Sequence, residues 1–548
     1  MRDGIELCAD VFLPPSASKQ GQKVPVICSL GPYGKDIPVL EFGLPQTTMY
    51  ADMYRQIKPL GPHACFELLD PLIWTKEYGY ALLRVDGRGV GGSQGRLDPF
   101  SLERSMRVGT DAEGQDLYDV IEWAGTQPWS SGKVATSGIS YYGMIGYIAA
   151  MQKPPHLTCV VAYEASHDIY QSTRRGGIGG ENFHAHWYKN VVIPYQSGNA
   201  DRRLDAAQLA ANRADYVGLI RDYEYPDSDL WKIFKQRRLS DIDVPLYTAG
   251  NWTDSEVHLP GNILSFNKSS SKEKWLEMHT GNHLAWYHHP EHVALQRKFL
   301  DYFLHGIKDS GILDIPRIRL IQHHSEGSFY REHEAAFPPP DAEERSFYLT
   351  PDKKLSLARQ AGREQAFEYE GLTGTVTFEL DSTFREPFEI LGTPFVEIQV
   401  STEAEDSDIF LSLRALDANG KPFILGGNHG EPNEHFAKGY FRLSHREEVE
   451  AGFNEYERVP FQPLAPRSKV EKGKVYTLTI PFNPAAFYLK AGQSISLEIG
   501  AQDTASTIPP MRHDGGDRVA RRFEGKNTLL SGGRLVLPQV QRPPPPSI

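Results

Sequence analysis

The segment Gly138-Ile139-Ser140-Tyr141-Tyr142-Gly143 places a serine between glycines, after the β-branched run Val134–Thr136 and before the apolar run Met144–Ala150. Small residues let the chain make a sharp strand-to-helix turn that exposes the serine Oγ. The helix that follows turns its first backbone N–H groups toward a developing oxyanion. The chemistry this predicts is nucleophilic attack on an acyl carbonyl by Ser140. A second match, Gly91-Gly92-Ser93-Gln94-Gly95, fails the same test. It is separated from the strand-like Ala81–Val85 by Asp86–Val90, and Arg96-Leu97-Asp98-Pro99 cannot begin a buried helix.

A serine hydroxyl is a poor nucleophile at neutral pH and needs a base within hydrogen-bond reach and a carboxylate to fix that base's tautomer. On a strand-turn-helix scaffold the chain order is serine, acid, histidine. Asp254 follows the strand-like Val244–Ala249 in Gly250-Asn251-Trp252-Thr253-Asp254, and His283 ends His279-Thr280-Gly281-Asn282-His283. Strand ends are where open α/β sheets build their sites. Spacing alone leaves Glu256 as a rival acid, and His279, His288 and His289 as rival bases.

The elements that must hold these residues follow from the pattern of apolar positions. Ile5–Leu13, Val24–Ser29 and Tyr80–Val85 are short apolar runs bounded by Gly, Pro and polar clusters, which is strand chemistry. Asp111–Gly125 carries Leu117, Val120, Ile121 and Ala124 at helical spacing, and a strand begins at Gly132. Alternating strands and helices predict a parallel sheet, resumed by Val244–Ala249 and the helix Val293–Leu304. Between Ser166 and Ser240 the chain turns to polar and aromatic helical material such as Leu204–Leu219, an inserted cap. From Ile315 onward short alternating strands prevail: Ile318–Gln322, Phe347–Leu349, Pro394–Ser401, Ile409–Ala415, Val475–Ile480 and Ser494–Gly500. The fold class predicted is α/β: an α/β-hydrolase domain in two parts (1–165 and 241–314), a helical cap insertion (166–240) and an all-β jelly-roll domain (315–548). The four prolines within Arg542–Ile548 predict an extended tail.

The 548 residues exceed the roughly 250–300 at which a single core stops growing, in keeping with several domains. Forty per cent hydrophobic and 23% charged residues exclude a largely disordered chain. Seventy acidic against 58 basic residues, net −12, argue against generic attraction to nucleic acid. Cys8, Cys28, Cys65 and Cys159 are too few for a disulfide scaffold and match no zinc spacing, so buried thiols are expected. The amino terminus lacks a signal-peptide core and no stretch is long enough to span a bilayer, which predicts a cytoplasmic protein without a membrane partner. A glycan on the formal acceptor Asn251-Trp252-Thr253 would obstruct Asp254, in line with that location.

At these residues the chain resembles the cocaine esterase and X-Pro dipeptidyl-peptidase family of serine hydrolases, which includes the α-amino-acid ester hydrolases. The resemblance runs through Arg2-Asp3-Gly4-Ile5, Asp86-Gly87-Arg88-Gly89-Val90-Gly91-Gly92-Ser93-Gln94-Gly95, Gln127-Pro128-Trp129-Ser130 and the Ser140 segment. It implies Asp254 and His283 as the partners of Ser140, although Thr280-Gly281-Asn282-His283 departs from the family's Gly-Pro-Trp-x-His loop. It also implies an oxyanion hole made by the hydroxyl of Tyr33, in Gly31-Pro32-Tyr33-Gly34-Lys35, and the backbone N–H of Tyr141. Asp168 and Glu256 match two positions of a carboxylate cluster that binds a substrate ammonium in the amino-ester branch, the third being Val257. Trp252, next to the acid turn, is a further candidate to touch substrate. The chain is short for the extra amino-terminal domain of X-Pro dipeptidyl-peptidases. The expectation is therefore a hydrolase of esters, activated amides or thioesters acting on a small acyl substrate, with no metal or organic cofactor and with a homo-oligomer left open. The alternatives are an acyltransferase using the same triad, an X-Pro dipeptidyl-peptidase-like aminopeptidase, and a non-catalytic jelly-roll binding protein.

Overall fold

The structure is a computed structural model that describes residues 1–39, 41–42, 60–197, 204–234, 237–324, 327–333, 336–360, 364–431, 433–446 and 468–543. Residues 544–548 of the proline-rich ending lie outside that set.

The hydrolase sheet is built from β1 (Ala9–Phe12), β2 (Val24–Gly31), β3 (Ala81–Asp86), β4 (Ser130–Ile139), β5 (Leu157–Tyr163), β6 (Leu246–Asn251), β7 (Lys274–His279) and β8 (Ile318–His324). Their order across the sheet is 1-3-2-4-5-6-7-8, with β1 antiparallel to β3 and every other pair parallel. β2, β3 and β6 are buried at every position, as strands covered by helices on both faces must be. Parallel neighbours end on the same side. The register sets Ile139 against Tyr163, Tyr163 against Ala249 and Asn251 against His279. The residues that leave β4, β5, β6 and β7 therefore meet along one edge, and Ser140, Glu164, the 252–260 loop and the 280–283 loop are among them.

Helices α1 (Ala112–Thr126), α2 (Ser140–Gln152), α3 (Gly261–Lys268) and α4 (Pro290–Leu300) flank this sheet. α1 begins where Asp111 accepts a hydrogen bond from Gly114 N–H at 3.0 Å and an ion pair from Arg237 at 2.7 Å. The helical material expected around Leu204–Leu219 forms two helices, Ala206–Ala211 and Tyr216–Asp222, and Asp215 caps the second by accepting from Gly218 N–H. A two-residue ribbon, Arg174–Arg175 with Ile178–Gly179, lies in the same inserted region.

The C-terminal part is all β. β9 (Phe395–Thr402) pairs with β12 (Tyr476–Pro481) and β15 (Lys526–Val540). β10 (Asp408–Leu416) pairs with β11 (Ala437–Arg442) and β14 (Ser494–Gly500). β9 and β14 alternate between buried and partly exposed residues, and their inward side chains, Val396, Ile398, Leu497 and Ile499 among them, form a second core. β8, which sequence reading places at the start of the β region, also completes the hydrolase sheet and pairs in parallel with β13 (Ala485–Leu489). One sheet edge thus runs from one core into the other. Among the described residues no helix is long and apolar enough to cross a membrane. Cys8, Cys28, Cys65 and Cys159 are free thiols, the last three buried.

Gly138 sits where α2 turns back against β4, and a Cβ there would lie 2.2 Å from the Cβ of Tyr142. Gly138→Ala should cost about 1–3 kcal/mol of unfolding free energy in urea titrations. Gly426→Ala, where a Cβ meets nothing within 4 Å, should change stability by less than about 0.5 kcal/mol.

Candidate active site

Ser140 is held in the left-handed region, φ 54°, at the first position of α2. That conformation is costly for a residue with a Cβ and persists where the surroundings enforce it. Here they do. Gly143 lets α2 approach so closely that a Cβ would lie 2.7 Å from the Tyr163 carbonyl oxygen, and Ile139 N–H donates to the Glu67 carbonyl at 3.3 Å. Glu67 (φ 60°) and Glu164 (φ 39°) are also left-handed, so three such residues converge on one edge of the sheet.

The imidazole that reaches Ser140 belongs to His258. Ser140 Oγ lies 3.0 Å from His258 Nε2, and His258 Nδ1 is hydrogen-bonded to Asp254 Oδ2. The second oxygen of Asp254 accepts from the backbone N–H of His258 at 3.3 Å. Burial favours a neutral Asp254 carboxyl, but the charge of His258 and its hydrogen bond outweigh this and hold the group well below the ordinary carboxylate range. An ionised Asp254 takes the Nδ1–H, which leaves the Nε2 lone pair facing the Ser140 hydroxyl.

The sequence expectation puts His283 in this place. That residue lies one ring away, its imidazole nearly parallel to His258 at a centroid distance of 5.5 Å. Its Nδ1 is 2.6 Å from Glu164 Oε2 and its Nε2 is 3.3 Å from Glu67 Oε1. Both nitrogens therefore face carboxylate acceptors. Burial works against charge, but Glu164 and Glu67 raise His283 well above the ordinary imidazole range. An imidazolium with both nitrogens protonated has no lone pair to take a proton from Ser140. Glu164 in turn, although buried, is pulled down to about 2 by the charge of His283 and the hydrogen bond from His279. Burial raises the Glu67 carboxyl.

Tyr33 faces the same cleft. Its oxygen accepts from Trp187 Nε1 at 3.0 Å, and among the described residues its own hydrogen has no acceptor. Burial, followed by the charge of Glu67, raises the phenol well above its usual range, so it stays a donor. The Tyr141 N–H belongs to the first turn of α2, where N–H groups have no partner within the helix. The Tyr141 hydroxyl is used elsewhere: it donates to Glu113 at 2.7 Å and accepts from Phe100 N–H at 2.9 Å. A cleft opens over Ser140 and His258, walled by Tyr33, Phe100, Met144, Phe183, Trp187 and Tyr216.

Three expected substrate contacts are committed to other work. Asp168 caps the helix Ile169–Thr173 by accepting from Tyr170 N–H at 2.8 Å. Glu256 is buried in an ion pair with Lys438. Trp252 donates from Nε1 to the Ile321 carbonyl at 2.7 Å and packs in a core with Leu259, Ile263 and Phe337. Ser93 is buried, donating to the Asp86 carbonyl at 2.7 Å and accepting from Cys8 N–H. His258 was missed on the sequence, yet a signal was there: Asp254-Ser-Glu-Val-His258 has the i, i+4 spacing that stacks two side chains on one turn. Glu164 and Glu67 had no signal, since their roles depend on strand order and on a loop 73 residues before Ser140.

Glu164, Asp254, His258 and His283 each offer a ligand-type atom, and these lie within 4.8 Å of one another. They are paired as two histidine–carboxylate dyads, Asp254–His258 and Glu164–His283.

Comparison with known proteins gives a consistent picture. Residues 3–285 match the family described as X-Pro dipeptidyl-peptidase (S15 family), and residues 310–535 match the X-Pro dipeptidyl-peptidase C-terminal non-catalytic domain. Cocaine esterase from Rhodococcus sp. (strain MB1 Bresler) is 22% identical over 582 residues, spanning 92% of this chain and 89% of its own. A crystal structure of a CocE/NonD family hydrolase from Staphylococcus aureus superposes with a TM-score of 0.83 at 25% identity, covering 98% of this chain and 92% of the other. An α-amino acid ester hydrolase shares the fold, with a TM-score of 0.67 at 17% identity and coverage of 98% and 95%.

Two measurements check this geometry. His258→Gln should slow fluorophosphonate labelling of Ser140 by about 10⁴-fold or more, as loss of a base does, whereas His283→Gln should slow it by less than about 10²-fold. The Glu164–His283 pair should also give stability a defined pH window. The lowered Glu164 contributes above its ordinary value near 4.5 and loses this as pH falls toward about 2; the raised His283 contributes below its ordinary value near 6.5 and loses this only as pH rises through its elevated value. Glu164→Gln should therefore destabilise by about 3–5 kcal/mol at pH 6, and by much less near pH 3.

Proposed function

Because this chain belongs to the X-Pro dipeptidyl-peptidase (S15) family of serine hydrolases, we propose that it hydrolyses carboxylic esters through an acyl-enzyme on Ser140. The observation that carries this reading is the continuous hydrogen-bonded line from Ser140 through His258 to Asp254 beneath an apolar cleft. His258 Nε2 takes the hydroxyl proton as Ser140 Oγ attacks the carbonyl, and the resulting imidazolium is stabilised by Asp254. The Tyr33 O–H and Tyr141 N–H receive the oxyanion. His258 then gives its proton to the departing alkoxide. Water enters, His258 deprotonates it, and collapse of the second tetrahedral intermediate frees the acid and restores Ser140.

The cleft also bears on the substrate. Its walls are aromatic and aliphatic, and among the described residues lining it there is no carboxylate. Burial lowers His184, at its edge, to about 4, so that ring is neutral at pH 7. An uncharged, apolar acyl group suits this surface, whereas a substrate ammonium would be desolvated without a counter-charge. This favours an esterase over an aminopeptidase, in agreement with the relative named cocaine esterase.

A second reading keeps Ser140 and gives the base role to His283, whose carboxylate would be Glu164. The parallel stacking of the two imidazoles at 5.5 Å is its support. It requires Nε2 of His283 to leave Glu67 and turn to the serine.

Ser140→Ala should lower kcat on p-nitrophenyl esters by about 10⁶-fold, and Tyr33→Phe by about 10²–10³-fold. Near-normal turnover by Ser140→Ala would remove the acyl-enzyme reading. The p-nitrophenyl ester of phenylacetate should exceed that of phenylglycine, which adds an α-ammonium, by at least about tenfold in kcat/KM.

A further inference from the structure

The turn that carries Asp254 and His258 is pinned from outside the hydrolase core. Glu256, between the two, is 2% exposed and reaches Lys438 Nζ at 2.5 Å. Lys438 stands on β11 of the all-β part, is 1% exposed, and also contacts Glu434 at 2.7 Å and Thr507 Oγ1 at 3.0 Å. The next backbone group is held from the same side, since Asn483 Nδ2 donates to the Ser255 carbonyl at 2.9 Å. Arg175, from the inserted region, donates to the Glu256 carbonyl at 3.2 Å. The all-β part also reaches the neighbouring loop: Asn428 accepts from the His283 N–H at 3.2 Å, and its side-chain oxygen accepts from Asn251 Nδ2 at 2.9 Å.

We infer that Lys438 and Asn483 are positioning residues for catalysis, and that the C-terminal all-β domain holds the Asp254–His258 turn in register with Ser140. The inference rests on His258 being the base. Its physical basis is that Lys438 Nζ is the buried hydrogen-bond donor to Glu256 Oε1, and a buried polar group stripped of its partner carries a full desolvation cost. Without Lys438, the Glu256 carboxyl would have to turn to another partner or draw in water, and either change moves the residues on each side of it. Among the described residues Glu256 Oε2 has no hydrogen-bond partner, so the side chain is held through Oε1 by the lysine. A misplacement of about 1 Å in a catalytic group is enough to cost about 10²-fold in rate. The domain described in its family as non-catalytic thus supplies part of the geometry on which the reaction depends.

The test uses the full-length enzyme with three substitutions. Lys438→Met removes the hydrogen-bond donor to Glu256, Asn483→Ala removes the hydrogen bond to Ser255, and Glu434→Gln perturbs the same lysine without touching the catalytic turn. For each, kcat and KM on a p-nitrophenyl ester are measured, with circular dichroism melting as a folding check. Lys438→Met should lower kcat about 10–100-fold with KM within twofold, Asn483→Ala about 3–10-fold, and Glu434→Gln less than threefold. A folded Lys438→Met with kcat within twofold of wild type would overturn the inference, as would equal losses in Lys438→Met and Glu434→Gln. Should Lys438→Met fail to fold, Asn483→Ala decides: an unchanged kcat overturns the proposal, and a lowered kcat at unchanged KM supports it. His258→Gln is measured in parallel, and full activity there would reject the base assignment whatever the positioning variants do.

Discussion

The constraint on which the site depends is a single turn of chain that keeps a carboxylate and an imidazole four residues apart in the buried interior. Asp254 binds both the backbone N–H and the ring Nδ1–H of His258, so one carboxylate fixes the turn and the tautomer together. This geometry is useful only if Ser140 meets the free nitrogen, and the left-handed serine at the head of α2 provides that meeting. The strained serine cannot relax without moving α2, because the glycines at 138 and 143 bring helix and sheet to separations that no larger residue allows. Backbone strain, close packing and hydrogen bonding therefore specify the same small volume.

Around it buried cations each face two carboxyls, one held low and one raised. His283 lies between Glu164 and Glu67, and Lys438 lies between Glu434 and Glu256. Such sets contribute little net stability against an apolar equivalent of the same shape, but breaking one leaves a charge without compensation. Their effect is to make alternative loop positions expensive. The two sets act on adjacent loops, one after β6 and one after β7, and both receive bonds from the all-β domain through Asn428, Asn483 and Lys438. The parallel pairing of β8 with β7 and with β13 gives those contacts a rigid base.

Much of this was legible in the sequence. Apolar runs such as Val24–Ser29 and Tyr80–Val85 mark the buried parallel strands, and the strand-serine-helix pattern distinguishes Ser140 from Ser93. The base was harder to find. Family resemblance pointed to the histidine after β7, but pairing depends on which nitrogen stays unprotonated, and that is decided by carboxylates at positions 67 and 164. Asp168, Glu256 and Trp252 carried the right chemistry for substrate contacts, yet a cap, an ion pair and a core indole are equally good uses of those side chains. The helical material around Leu204–Leu219 divides into two helices at Asp215, which caps the second. Long-range partners such as Lys438, 182 residues from Glu256, leave no local signature.

We assign His258, oriented by Asp254, as the base of Ser140. A crystal structure of the enzyme after reaction with a phosphonate ester tests it most directly, because the adduct imitates the tetrahedral intermediate. Phosphorus should be bonded to Ser140 Oγ, with the phosphoryl oxygen about 2.7–3.1 Å from the Tyr33 hydroxyl and the Tyr141 N–H, and His258 Nε2 hydrogen-bonded to an adduct oxygen while His283 stays between Glu164 and Glu67. An adduct in which His283 occupies that place and His258 is turned away would contradict the assignment.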